Sequence, residues 1–237
     1  MTNQIILKIR KFNFSERFYL MKKIFAVNGS PRNNGNTAKI LQHALTGAES
    51  AGAETELINL GKLTFSGCRS CFACKLKGGD NYGRCALNDD LTPFLNKLIH
   101  ADGIIMGTPV YFSAETGLFR NFMERLFFPL LKYSDPPSSL APRQLTAAFV
   151  YTMNIPEPAL SEYGYREHLE KSADFSSLIF GAQSVETLYV CDTWQFDDYS
   201  KYDSALFDPA HKAAVRKEQF PIDKQRAFEL GRRMALK

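Results

Sequence analysis

The chain has 237 residues, of which 45% are hydrophobic, and this length is sufficient for one well-packed domain. The formal net charge is +4, and lysines and arginines are spread along the chain without a long basic run, which argues against proteins that bind nucleic acid or acidic membranes. Membrane-spanning proteins are also disfavoured, because no apolar stretch approaches the ~20 residues that a crossing requires.

The first twenty residues are interpreted separately from the rest of the chain. They contain basic and apolar residues but neither a long apolar core nor a small-residue cleavage site, which argues against a secretory signal. Met21 then begins the sequence MKKIFAVNGS, which has the character of a natural start. We therefore expect residues 1–20 to be an extension outside the core and residues 21–237 to form a single cytoplasmic domain. An extra helix or strand packed on a neighbour is the alternative.

From Met21 onward, strand-like and helix-like segments alternate. Short apolar runs predict five strands, at residues 24–27, 56–60, 103–107, 146–151 and 185–191. Apolar residues at helical spacing predict helices near residues 38–48, 91–99, 118–126, 160–173 and 227–234. Because strands separated by helices form parallel sheets that are covered on both faces, we predict a doubly wound α/β fold with a five-stranded parallel sheet.

A polar loop, VNGSPRNNGNTAK at residues 27–39, joins the first predicted strand to the first predicted helix. Open α/β sheets bind ligands at this place, where unpaired N–H groups and the helix dipole favour an anion. Ser30, Asn36 and Thr37 offer short polar side chains, and Arg32 offers a positive charge, so a phosphate is the natural ligand. The loop is neither a Walker loop nor a dinucleotide-binding glycine motif. A well-capped turn without a ligand is the alternative.

A second segment, GTPVYFSAETGLFRNFMERL at residues 107–126, leaves the third predicted strand and enters an amphipathic helix. Such a turn can present backbone groups and an aromatic ring to a flat ligand at the same edge of the sheet. Together with the first loop, this segment resembles the flavodoxin-like NADPH-dependent FMN reductase family, including its iron–sulfur flavoprotein branch. The resemblance extends over about residues 21–190.

The resemblance implies a flavodoxin-like fold with strand order 2-1-3-4-5 and with FMN at the junction between strands 1 and 3. It implies that the FMN phosphate is surrounded by Ser30, Arg32, Asn36 and Thr37. It also implies that two loops flank the isoalloxazine, one made of Thr108, Pro109, Val110, Tyr111 and Phe112 and the other of Tyr151, Thr152, Met153 and Asn154. The second of these loops departs from the glycine-rich form of many relatives. For Tyr111 and Phe112, the alternative is that they are ordinary core aromatics.

The resemblance further implies redox chemistry that depends on FMN more than on any side chain. We therefore assign no catalytic acid or base. We expect an FMN-dependent oxidoreductase that takes hydride from NAD(P)H and reduces a flavin, a quinone or a similar small molecule. One alternative is an iron–sulfur flavoprotein that passes single electrons to or from a ferredoxin. The other is a flavin- or thiol-based redox sensor without turnover.

Four cysteines follow the second predicted strand with the spacing C-x2-C-x2-C-x10-C, and they are Cys68, Cys71, Cys74 and Cys85. The first three match the motif of the iron–sulfur flavoprotein branch, whereas the last gap is longer than in the compact form of that motif. The spacing allows a [4Fe–4S] cluster or a zinc site, but we expect reduced or redox-active thiols instead. Cys191, isolated at the end of a strand, is expected to be a buried packing residue.

Aromatic residues are concentrated at residues 193–207, TWQFDDYSKYDSALF, after the last predicted strand. Because a monomer has little left there to bury these rings against, we expect the segment to lie in a subunit interface. The resemblance likewise suggests a homodimer or a homotetramer. A tail that folds back over its own flavin site is the alternative.

Overall fold

The computed structural model describes residues 21–182 and 185–237, so the predicted extension at residues 1–20 lies outside the described residues. The strands are β1 (Lys23–Asn28), β2 (Glu54–Asn59), β3 (Gly103–Tyr111), β4 (Ala114–Glu115), β5 (Leu131–Lys132), β6 (Ser138–Ser139), β7 (Thr146–Thr152) and β8 (Val185–Val190). The helices are α1 (Asn36–Ser50), α2 (Thr92–Leu98), α3 (Gly117–Leu130), α4 (Ala159–Glu162), α5 (Tyr165–Phe180) and α6 (Pro209–Leu236). None of the helices in these two ranges is long and apolar enough to cross a membrane.

The central sheet has the order β2-β1-β3-β7-β8, and these strands run parallel. Since β7 and β8 are the fourth and fifth predicted strands, the predicted order 2-1-3-4-5 is confirmed. In addition, β4 forms a short antiparallel hairpin with the end of β3, and β5 pairs with β6 away from the sheet.

Two hydrophobic cores lie on opposite faces of the sheet. In β1, Ile24 and Ala26 face the core that is shared with α1 and α6, whereas Phe25 and Val27 face the core that is shared with α2, α3 and α5. All four side chains are almost completely buried. Helices therefore cover both faces, as parallel strands require.

β3 is longer than the sequence predicts. It continues to Tyr111 instead of ending near Gly107, because Val110 gains an antiparallel partner, Glu115 of β4. The residues that were predicted to be a turn after the third strand thus extend the strand to the rim of the sheet.

The last helix is also longer than predicted, since α6 begins at Pro209 and not near Ala227. Before Ala227, the buried residues of α6 are Lys212, Phe220 and Asp223. Two of these three are charged, so a search for apolar residues at helical spacing could not reveal this part of the helix.

Two glycines allow α6 to pack closely against α1. A Cβ atom added to Gly47 of α1 would lie 1.9 Å from the carbonyl oxygen of Phe228, and one added to Gly231 of α6 would lie 1.8 Å from that of Ala44. The opposing atoms belong to the backbone and cannot rotate away as a side chain would. The close approach of the two helices therefore depends on glycine at both positions.

We expect Gly231→Ala to lower the free energy of unfolding by about 1–3 kcal/mol, because the added methyl group forces α6 away from α1. Urea denaturation of the variant and the parent protein measures this change. Gly117→Ala is the matched control, since a Cβ atom there meets nothing within 4 Å. Similar losses in both variants would contradict the role given to the helix contact.

Candidate functional site

Loops at the carboxyl ends of β1, β3, β7 and β8 enclose an open cleft of about 560 Å³. The residues that line the cleft are Ser30, Arg32, Asn36, Thr37, Pro109, Val110, Tyr111, Thr152, Met153, Asn154, Thr193 and Gln195. Hydroxyl, amide and guanidinium groups thus occur in the same cleft as apolar side chains, which suits a ligand with both an anionic and an aromatic part.

Most of the residues predicted to bind a cofactor lie together in this cleft, whereas Thr108, Phe112 and Tyr151 are not among its lining residues. Thr108 is completely buried, and its hydroxyl lies 3.3 Å from that of Thr116. Phe112 stands fully exposed at the tip of the hairpin between β3 and β4.

Tyr151 lies in the core because neighbouring side chains of a strand point to opposite faces of the sheet. Thr152 lines the cleft, whereas Tyr151 stacks between Phe149 and Tyr189 with ring centroids 5.7 and 5.8 Å apart. The Tyr151 hydroxyl donates to the carbonyl oxygen of Leu169 at 3.2 Å. Burial raises the pKa of Tyr151, so the ring stays neutral and supports the end of β7 from behind.

The turn between β1 and α1 is stabilised by its own side chains. The Ser30 N–H donates to Asn28 Oδ1 at 3.1 Å, and the Arg32 N–H donates to Ser30 Oγ at 3.1 Å. Asn28 is fixed in turn, because its Nδ2 donates to Asn59 Oδ1 of β2 at 2.9 Å. These bonds direct the chain from the end of β1 into the first turn of α1.

The first turn of α1 offers backbone N–H groups to the cleft. Gly35 is the N-cap residue, and within residues 21–182 and 185–237 no cap side chain accepts a hydrogen bond from this turn. The Thr37 hydroxyl instead contacts the Thr152 hydroxyl at 2.7 Å, which ties α1 to the end of β7. A helix amino terminus of this kind attracts an anion through its dipole and its unpaired N–H groups.

Residues 192–195, called the strap below, cross this end of the cleft after β8. Arg32 Nη1 donates to the carbonyl oxygen of Gln195 at 3.0 Å, and Asn36 Nδ2 donates to that of Trp194 at 2.7 Å. Two of the four residues predicted for phosphate binding, Arg32 and Asn36, therefore also hold the strap.

The strap supplies two cleft residues, Thr193 and Gln195, that the sequence prediction missed. The N–H and the hydroxyl of Thr193 donate to the carbonyl oxygen of Met153 at 3.0 and 3.1 Å, and Asn154 Nδ2 donates to Gln195 Oε1 at 2.6 Å. Their position after the carboxyl end of a parallel strand could have identified them as cleft residues, but the segment was predicted to lie in a subunit interface.

The aromatic rings of the strap and of the segment after it pack on one another within the same chain. Trp194 and Phe196 meet the buried ring of Tyr199 edge to face, with centroids 5.0 and 5.2 Å apart. Phe196 also stacks on Tyr202 at 4.3 Å. These rings thus have packing partners within the same chain, and the tail lies beside its own cleft, while the subunit interface stays a prediction.

Lys212 of α6 is a buried cation that fixes both the strap and the loop after β7. Its Nζ donates to the carbonyl oxygen of Asn154 at 2.9 Å and also to Asn154 Oδ1 and Asp192 Oδ1. His211 Nε2 lies 2.5 Å from Asp192 Oδ2. Burial alone would raise the pKa of Asp192, but Lys212 and His211 hold that pKa below its usual value. Sequence analysis missed Lys212, because lysine is rarely buried.

The four cysteines lie around a second, smaller cavity beside α3. Arg125 of α3 is completely buried there, and its Nε donates to Cys85 Sγ at 2.8 Å. Its Nη1 and Nη2 donate to the Asp89 carboxylate at 2.7 and 3.2 Å. Lys75 adds a second anchor by donating to carbonyl oxygens at the end of α3. Arg125 belongs to the motif at residues 107–126, but the sequence alone does not predict its buried role.

The chemistry of four thiols around one cavity suits an iron–sulfur cluster. Within the described part of the chain, no three Cys, His, Asp or Glu side chains are grouped so that they could hold a metal ion. Burial raises the pKa of the Cys74 thiol, and Cys85 contacts Arg125. Cys191 packs at the edge of the core, and burial raises its pKa to about 12, as expected for a packing residue.

A larger apolar groove of about 940 Å³ lies between α3 and α5, with Met123, Phe127, Phe175 and Ile179 in its lining. It shares no lining residue with the cleft. The cleft remains the candidate site because it combines convergent polar groups with the open end of a helix.

The sequence matches one family model and several curated proteins. Residues 22–154 match the model of the family described as NADPH-dependent FMN reductase. An iron–sulfur flavoprotein from Methanocaldococcus jannaschii is 37% identical over 103 residues, which make up 44% of this chain and 51% of that protein. The chain thus spans about half the length of the curated relatives it matches.

Solved structures share the fold over nearly the whole chain. An NAD(P)H:quinone oxidoreductase from Methanothermobacter marburgensis has a TM-score of 0.66 and 15% identity, and the match covers 90% of this chain and 98% of that one. An FMN-dependent NADH-azoreductase from Bacillus anthracis, in complex with FMN, has a TM-score of 0.63 and 13% identity over 91% and 100% of the two chains. At such identities the similarity concerns the fold alone.

We expect Asp89→Asn to lower the free energy of unfolding at pH 7 by about 3–5 kcal/mol, because the buried guanidinium of Arg125 loses its carboxylate. The hydrogen bond from Arg125 is the main cause that lowers the pKa of Asp89 below its usual value, against the effect of burial. A carboxylate with a lowered pKa stabilises the fold above its ordinary pKa and loses this effect as the pH falls.

The difference in stability between Asp89→Asn and the parent protein should therefore shrink as the pH falls below about 4. Urea denaturation at pH 7 and pH 3 measures it. Asp80→Asn, at an exposed position, is the control and should change little at either pH. A difference that is the same at both values would contradict the ion pair.

Proposed function

Because the chain belongs to the NADPH-dependent FMN reductase family, we propose that it is an FMN-dependent oxidoreductase that takes hydride from NAD(P)H and reduces a flavin, a quinone or a similar small molecule. The observation that supports this most directly is the cleft, which collects residues from both family-like motifs at the carboxyl ends of β1 and β3. The cleft lies where doubly wound sheets bind their ligands.

The FMN phosphate is proposed to bind at the amino end of α1, among Ser30, Arg32, Asn36 and Thr37. The N–H groups of the first helical turn and the guanidinium of Arg32 support this assignment, since both favour a phosphate. The Thr37 hydroxyl contacts Thr152, so its backbone N–H is the group offered to the ligand.

The isoalloxazine is proposed to lie between Pro109–Tyr111 and Thr152–Asn154. The ring of Tyr111 is 46% exposed beside the cleft, and Val110 and Met153 add apolar surface. Bound FMN supplies hydride and single-electron chemistry. The protein residues bind the flavin, orient it and limit the access of water, so no acid or base is assigned.

We propose that the protein acts in the cytoplasm as a homodimer or a homotetramer, without a nucleic-acid or membrane partner. All five cysteines are free thiols, as is usual in a reducing compartment. The apolar groove between α3 and α5, where Phe175 is 60% exposed, supports a subunit contact. Residues 21–237 are proposed to act as one domain, because α6 and the strap complete the cleft.

The alternative is an iron–sulfur flavoprotein that passes single electrons to or from a ferredoxin. The names of the curated relatives and the placement of four cysteines around one cavity favour it. Among the described residues, however, no three Cys, His, Asp or Glu side chains are grouped closely enough to hold a metal ion. A redox sensor, the third candidate, would bind flavin but would not oxidise NAD(P)H in steady state.

We expect protein reconstituted with FMN to keep its flavin absorbance after desalting and to oxidise NAD(P)H when a quinone is supplied. Arg32→Ala should weaken FMN binding by about tenfold to a hundredfold, because a charge-assisted contact to phosphate is lost. Arg232→Ala removes an exposed charge from the far end of α6 and serves as the control. Loss of flavin from the parent protein on desalting would refute the proposed function.

Replacing both Cys71 and Cys74 with serine should leave flavin occupancy and NAD(P)H-dependent reduction unchanged, because neither residue lines the cleft. The measurements are steady-state turnover of the double variant and the iron content of anaerobically purified parent protein. Iron in the parent protein, together with abolished turnover at full flavin occupancy in the variant, would establish the electron-carrier alternative instead.

A further inference from the structure

Arg216 lies on α6, about one helical turn beyond Lys212, and reaches the amino end of α1. Its Nη1 donates to Asn36 Oδ1 at 3.2 Å. The Asn36 amide is fixed from its other end, because its Nδ2 donates to the strap. The guanidinium carbon of Arg216 also lies 4.0 Å from the ring centre of Phe220. The Arg216 side chain is therefore held beside the proposed phosphate site.

The charge of Arg216 has no carboxylate partner among the residues that the structure describes, since none of their ion pairs includes it. Burial lowers the pKa of Arg216, and no acidic neighbour raises it. Lys212 differs in this respect, because Asp192 neutralises it. A partly buried cation is unfavourable when it is unpaired, so a counter-ion from outside the chain would stabilise Arg216.

A second guanidinium, that of Arg32, is close to the same turn and also has no ion-pair partner in the described chain. An arginine has five N–H donors. In the described chain Arg32 uses one of them on the carbonyl oxygen of Gln195, and Arg216 uses one on Asn36. The remaining donors of both side chains are available to an anion at the amino end of α1.

We propose that Arg216 binds phosphate and makes the cleft select a flavin that carries a dianionic phosphate monoester, FMN, over riboflavin. This inference rests on the proposed FMN-binding function of the cleft. Two guanidinium groups match the two negative charges of the phosphate. Each guanidinium can also donate two parallel hydrogen bonds to phosphate oxygens. The 2′-phosphate of NADPH has the same chemistry. We assign Arg216 to FMN because its partner Asn36 lies in the first turn of α1.

The experiment compares dissociation constants for FMN and riboflavin, measured by fluorescence titration of the full chain. Arg216→Ala should weaken FMN binding about tenfold or more, whereas riboflavin binding should change less than about twofold. Arg216→Lys should restore part of the FMN affinity, because the charge is kept. Lys217→Ala removes an adjacent exposed charge from the same helix and should leave both constants unchanged. Thermal melting verifies that each variant is folded.

Equal weakening of FMN and riboflavin binding would show that Arg216 only supports the shape of the cleft, and would overturn the inference. A changed ratio of the KM values for NADPH and NADH, with FMN affinity intact, would assign Arg216 to the dinucleotide and would also overturn it. If the parent protein binds neither flavin, the proposed function fails and this inference fails with it.

Discussion

The parallel pairing of β1 with both β2 and β3 is the constraint on which the site depends. β1 is paired along its full length, and its last residue, Asn28, lies opposite Asn59 on one side and Gly107 on the other. Since all three strands run in the same direction, the loops that follow them emerge at one edge. The loops after β7 and β8 emerge there for the same reason. Strand direction, more than any contact between loops, creates the cleft.

This constraint explains why much of the site could be predicted from sequence. The loop from Ser30 to Thr37 directly follows an apolar run, so its place at the sheet edge follows from the strand alone. The limit of this reasoning is visible in β7, where Tyr151 enters the core and Thr152 enters the cleft. A strand that is buried on both faces is apolar throughout, so its sequence does not show which side chain points where.

The site residues that could not be predicted from sequence are mainly those on α6. Arg216 and Asn36 are 180 residues apart, and only the packing of α6 on α1 brings them together. Lys212 is a charged residue in the amino-terminal part of α6, where no apolar pattern marks the buried face. The pairing of Arg125 could not be predicted for another reason. Its partners Cys85 and Asp89 come from a long segment without regular periodicity.

The packing of α6 also determines the order in which the two cores can be completed while the chain is being synthesised. The helices on one face, α2, α3 and α5, all precede β8, so that core can close early. The opposite face, which includes Ile24 and Ala26, is covered in full only when α6 has left the ribosome. At a synthesis rate of ~5–20 residues per second, the apolar side of α1 stays uncovered for on the order of ten seconds before α6 can pack on it. The time during which the nascent chain is prone to aggregation is therefore set by the place of α6 in the sequence, and not by the stability of the finished fold.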